Sequence, residues 1–169
     1  MRSRSAVIDP RIRAAEYELG GSYGQRMGRL LDGIYDACPK RDVSRAWGRL
    51  PEAHRALFVI YFATAEIDNG GLHQYFSNST GDWAALLPGA ARLFGAEPYA
   101  DIFDRAIACF DPHALSDRDY RNGRLDELDD ADPLDRLTTE YHELEDRDAP
   151  IYAAIERYIH ARPAAFFTG

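Results

Sequence analysis

Ala56-Leu57-Phe58-Val59-Ile60-Tyr61-Phe62-Ala63-Thr64-Ala65 is a ten-residue run with almost no polar interruption. Its β-branched and aromatic content suits a buried strand as well as a buried helix, and periodicity alone does not separate the two in so short a run. Two further observations favour the helix. The run continues without a break into Glu66, and no other segment reads as a strand able to pair with it. It is therefore expected to be a central helix, apolar nearly all round and buried by its neighbours.

The flanking segments also repeat at helical spacing. Upstream, Ser22 with Gln25 three positions later has the form of a capping box; Met27, Leu30, Leu31, Ile34, Tyr35 and Cys38 follow as a stripe, and Pro39 closes it. Pro51 suits the first turn of the central helix. Downstream, Asp82 is expected to cap a helix carrying Trp83, Leu86, Leu87, Ala90 and Phe94, kinked at Pro88 and ended by Gly95. Pro98 starts the next, with Tyr99, Ile102, Phe103, Ala106, Ile107 and Phe110 on one face. Ser116 caps a short one weakened by Gly123. Asp132-Pro133 opens a helix with apolar Leu134, Leu137, Tyr141 and Leu144. Asp148 with Pro150 opens the last, striped by Ile151, Ala154, Ile155, Tyr158 and Ile159 and ended at Arg162-Pro163. The expected fold is all-α: a single compact multi-helix domain over residues 21–169 around the central helix, with an arm or short helix over residues 1–20.

Composition narrows the function classes. The chain has 169 residues and a hydrophobic fraction of 46%, enough for one core without metal or disulfide help. No apolar run approaches the ~20 residues of a membrane-spanning helix, and the basic start lacks the apolar core of a secretory signal. Cys38 and Cys109 sit far apart beside apolar stripes, so a reduced, buried pair in a cytoplasmic protein is expected. Net charge is -8, unevenly placed: residues 1–100 hold 12 Arg/Lys against 11 Asp/Glu, whereas residues 101–169 hold 8 against 17. Eleven acids lie between Asp126 and Asp148, namely Asp126, Glu127, Asp129, Asp130, Asp132, Asp135, Glu140, Glu143, Glu145, Asp146 and Asp148, opposed by Arg136 and Arg147. Such a surface repels nucleic acid and anionic lipid and attracts cationic proteins. The expected partner is thus a basic, DNA-binding or otherwise cationic protein, with no direct nucleic acid and no membrane.

Beyond the central run lies the most distinctive stretch, Glu66-Ile67-Asp68-Asn69-Gly70-Gly71-Leu72-His73-Gln74-Tyr75-Phe76-Ser77-Asn78-Ser79-Thr80-Gly81. Asn69-Gly70-Gly71 is a strong helix breaker, because Asn and Gly tolerate positive φ. Leu72, Tyr75 and Phe76 then face the core, and Glu66, Gln74 and Asn78 are polar groups among apolar neighbours. One reading has these polar groups hydrogen-bond one another and hold the corner together. The other makes them a polar pocket for a ligand or partner.

This stretch resembles the signature of the DNA mimic protein nineteen family, small all-helical bacterial proteins long without an assigned function. That pattern runs Glu, two residues, Asn-Gly-Gly, an aromatic, one residue, Gln, two aromatics, one residue, Asn, and a nearby Gly. Here the places are filled by Glu66, Asn69, Gly70, Gly71, Leu72 in place of the aromatic, Gln74, Tyr75, Phe76, Asn78 and Gly81. Less specific likeness extends over roughly residues 25–167. The resemblance implies an all-helical fold, a homodimer, and an acidic surface that occupies the DNA-binding face of a transcriptional regulator.

On a helix drawn from Asp132 to Asp148, the apolar positions gather on one side, and Asp132, Asp135, Glu143 and Asp146 fall within about 80° opposite. From Asp132 to Asp146 this ladder spans roughly 21 Å, a length over which one DNA strand presents ~6 phosphates. A solvated helix face is the plain alternative. No phosphate loop, nucleophile elbow or paired-histidine metal motif is seen, so no catalytic residue, metal or cofactor is expected. Three functions remain: a non-enzymatic acidic regulator that imitates DNA; an immunity or antitoxin protein that blocks a basic toxin; and a ligand binder or enzyme built on Glu66, Asp68, Asn69, His73, Gln74 and Asn78.

Overall fold

The structure, a computed structural model, describes residues 7–19, 21–128, 133–146 and 150–168. The arm enters as extended chain, with the Ile8 N–H donating to the Arg49 carbonyl at 3.0 Å. Strand β1 (Ile12–Arg13) leads into helix α1 (Ala14–Glu18), and Ile8, Ile12 and Tyr17 join the main core. Helix α2 (Tyr23–Ala37) starts with the expected capping box. Ser22 Oγ accepts from the Gln25 N–H at 3.3 Å, and Gln25 Oε1 accepts from the Ser22 N–H at 3.0 Å. Short helix α3 (Val43–Ala46), capped by the Asp42 carboxylate, carries the chain to Pro51.

Helix α4 (Glu52–Ser77) contains the apolar run, with Leu57, Ile60, Ala63 and Ile67 fully enclosed. Helices α2, α5, α7 and α8 pack around it. Its burial is not uniform: Tyr61 and Phe62 are only half-buried. Trp47 stacks on Trp83 at 5.3 Å, and both rings meet Phe58 edge-on.

Past α4 the structure corrects three boundaries. Residues Ser79–Leu86 form 3-10 turns, and helix α5 (Leu87–Leu93) begins afresh with Pro88 in its first turn. Proline has no N–H to give and a pre-set φ, so it starts this helix and does not kink a longer one. Asp82 is not the cap of that helix; its carboxylate accepts from Arg121 at 2.7 Å. Gly95 ends the segment at φ 74, as expected. Helix α6 (Glu97–Ile107) buries Tyr99, Ile102, Phe103 and Ala106; Cys109 lies beyond its end and is half-buried, so only Cys38 is a buried thiol. Helix α7 (Arg118–Asp126) is capped by Asp117 one residue after Ser116, its carboxylate accepting from the N–H groups of Asp119 and Tyr120 at 3.0 and 3.2 Å. Helices α8 (Pro133–Asp146), α9 (Ile151–Ala161) and α10 (Pro163–Phe166) follow. Strand β2 (Phe167–Thr168) then pairs parallel with β1, Ile12 opposite Phe167.

Candidate functional site

The Asn69-Gly70-Gly71 turn breaks α4. Gly70 stands at φ -160, ψ 25, and Gly71 at φ 72, ψ -175. The latter is left-handed backbone that a side chain resists. Beyond it, Leu72 starts a new helical stretch with an N–H that has no carbonyl upstream in helical register. Thr138 of α8 supplies the acceptor: the Leu72 N–H donates to its Oγ1 at 3.0 Å, and that hydroxyl donates to the Leu134 carbonyl at 2.8 Å. A Cβ on Gly71 would lie 3.1 Å from both Oγ1 and Cγ2 of Thr138. The second glycine thus answers two needs, a backbone conformation and a place for the threonine.

The polar signature residues close on one another across the turn. Glu66 Oε2 accepts from Gln74 Nε2 at 2.7 Å and from Asn78 Nδ2 at 2.8 Å. Asn69 is exposed. Asp68 belongs to a different neighbourhood: it faces Tyr141, His142 and Glu145, and partial burial together with the Glu145 charge holds its carboxyl above the usual carboxylate range. Glu66, Gln74 and Asn78 thus hydrogen-bond one another across the corner.

A residue that sequence reasoning passed over completes the corner. Arg121 of α7 is 0% exposed. It donates to the carbonyls of Phe76, Leu115 and Asn78 at 2.7, 2.7 and 2.9 Å, and to the Asp82 carboxylate at 2.7 Å. Two of those carbonyls lie at the end of α4, where helical acceptors run out. Gly81 leaves the space, since a Cβ there would stand 2.9 Å from Arg121 Nε. The available signal was an arginine at an otherwise apolar position of its helix.

The acidic residues sort into groups. Asp129, Asp130, Asp132 and Asp148 lie outside the described residues. Asp126, Glu127, Asp135, Glu143 and Asp146 are exposed, Glu127 bridged to Arg124 at 2.8 Å. Glu140 is paired with Arg105 of α6, whose Nη1 donates at 3.3 Å, and this guanidinium holds its carboxyl below the usual range. Glu145 turns inward and leaves the outward set. Its Oε1 accepts from the Tyr99 hydroxyl at 2.5 Å and from the Ile151 N–H at 3.0 Å, which makes it the N-terminal acceptor of α9. Arg136 is also exposed on α8 and offsets part of the negative charge.

Beneath the outward carboxylates, Leu134, Leu137 and Tyr141 are buried and stabilise the seat of α8 by roughly 5 kcal/mol before ordering costs. Beside α8, helix α6 carries a second exposed row: Glu97, Asp101 and Asp104, spaced at helical intervals, with Arg92 bridging to them at 3.4, 3.6 and 2.6 Å. This row was legible as periodicity but was overlooked beside the denser run that follows it. Among the described residues no group of three or more His, Cys, Asp or Glu is placed to hold a metal ion, and no helix is long and apolar enough to cross a membrane.

Fold and surface together define an all-helical protein with exposed carboxylates on α6, α7 and α8, the last seated against a glycine turn. The chain belongs to the DMP19-like protein family, whose model matches residues 48–162, from the entry to α4 through the end of α9. No curated protein and no solved structure matches it.

Proposed function

We propose that this protein is a non-enzymatic regulator that binds a cationic partner, a DNA-binding protein, by presenting carboxylates where that partner expects phosphates. The observation that carries the reading is the division of α8. Leu134, Leu137 and Tyr141 fix one side in the core, while Asp135, Glu143 and Asp146 project from the other. Asp126 and Glu127 at the end of α7 and the acidic row of α6 extend the same sign of charge. Membership of the DMP19-like family supports the same reading. Engagement of Glu66 by Gln74 and Asn78 favours it over a ligand site at the turn.

The test replaces Asp126, Asp135 and Asp146 with Asn and Glu143 with Gln in one variant. Immobilised wild-type chain is expected to retain basic DNA-binding proteins from its native lysate, to release them as salt rises, and to lose them to competing duplex DNA. The variant is expected to retain none while its far-ultraviolet circular dichroism is unchanged. Equal retention by the two chains removes the proposal.

Self-association belongs to the same reading. The partly open flank of α4 offers half-buried Trp47, Tyr61, Phe62 and Trp83 beside Leu86, which is 44% exposed. A homodimer formed there would keep the acidic helices turned outward.

A further inference from the structure

We propose that the Asn69-Gly70-Gly71 turn is the seat of the acidic helix, with Thr138 as its key, so that the signature acts on partner binding by fixing the roll of α8 about its own axis. The last step rests on the partner-binding reading above; the seat itself does not.

Apolar packing of Leu134, Leu137 and Tyr141 holds α8 to the body but specifies its rotation weakly, because dispersion contacts are not directional. Hydrogen bonds are directional. Two of them anchor α8 at separated points. Thr138 Oγ1 accepts from the Leu72 N–H at 3.0 Å, and Glu145 Oε1 accepts from the Tyr99 hydroxyl at 2.5 Å and the Ile151 N–H at 3.0 Å. These anchors lie roughly 10 Å apart along the axis and on the same inward side as the apolar stripe. With both made, Asp135, Glu143 and Asp146 face out.

A one-residue slip turns a helix by about 100°, which would carry Asp135 aside and bring Arg136 towards its place. Arg136, already exposed on α8, would then stand where Asp135 stands, and the outward face would lose a carboxylate to the core side. The turn prevents this because Gly71 alone leaves the space that Thr138 fills, 3.1 Å from where a Cβ would stand. Glu66, bonded to Gln74 and Asn78, braces the two halves of α4 around that space. The signature residues need not touch a partner to govern its binding. Thr138 is a positioning residue.

The experiment compares the full chain with T138V, which keeps the shape and removes the hydroxyl, and T138S, which keeps the hydroxyl. Amide hydrogen exchange is followed at Leu72 and along residues 135–146, and a fluorescent octa-arginine peptide is titrated at several salt concentrations. In T138V the Leu72 amide is expected to exchange about tenfold faster, with α8 following, and the salt dependence of peptide binding is expected to flatten as fewer carboxylates act together. T138S is expected to match wild type in both. Unchanged exchange at Leu72 and α8 in T138V, or a T138S that behaves like T138V, overturns the seat. Altered exchange with identical peptide binding by wild type, T138V and D135N/E143Q/D146N leaves the seat standing and overturns its role in partner binding, together with the reading beneath it.

Discussion

Arg121 keeps its whole guanidinium inside the protein, where it serves three backbone carbonyls and one carboxylate. Arg121→Met retains much of the volume but strands those acceptors, so a loss of about 3 kcal/mol or more is expected in chemical denaturation. A loss below about 1 kcal/mol would show that water replaces the arginine. His54 is the second residue with a measurable consequence. It is fully enclosed against Phe166, near Asp9 and Arg11, and burial lowers its pKa from 6.5 to about 4. The unfolded chain takes up the proton first as pH falls. The stability from keeping the ring neutral is therefore complete above pH 6.5 and drains away towards pH 4. Between about pH 8 and about pH 5 the loss is about 2 kcal/mol, and His54→Phe is expected to abolish that part of the slope. A variant as pH-sensitive as wild type would assign the slope to other groups.

Among the elements, α8 poses the sharpest contrast, since neighbouring carboxylates on it have opposite tasks. Glu145→Gln weakens the junction of α6, α8 and α9 and is expected to cost about 1–2 kcal/mol in thermal unfolding, while partner capture falls less than with Asp135→Asn because Thr138 still anchors α8. Asp135→Asn is expected to do the reverse. Matching effects from the two would erase the distinction. Helical spacing alone sets Glu145 beside the apolar stripe and apart from Glu143 and Asp146; the sequence could not supply its partners there, Tyr99 and the start of α9. The helices themselves were legible wherever a long stripe met a cap, as in α2 with Ser22 and Gln25. Boundaries slipped where two devices competed, at Asp117 against Ser116 and at Pro88. The parallel pairing of β1 with β2 was not legible, because two residues carry no period and the partners lie at opposite ends of the chain. The corner made by Glu66, Gln74 and Asn78 was legible from polar residues beside glycines, whereas its link to Thr138 depended on a contact between distant helices.

Charge is segregated across the whole molecule. Residues 1–100 are nearly neutral and residues 101–169 carry the excess, 8 Arg/Lys against 17 Asp/Glu. Two copies would repel through α6 and α8, so association is expected on the aromatic flank of α4. Light scattering is expected to give a dimer mass that Phe62→Glu reduces to a monomer, with partner capture then weaker through lost bivalency but still salt-sensitive. A monomeric wild type would withdraw that arrangement. The meeting of β1 with β2 has another consequence. Because Ile12 lies opposite Phe167 in a parallel pair, a linker of about a dozen residues, long enough to cross back, would splice Thr168 to the segment before Ile12 and make a ring. New ends could then be opened in the exposed bend at Asp111 and Pro112, and the permuted chain would carry a reporter at a surface site remote in sequence from both original ends.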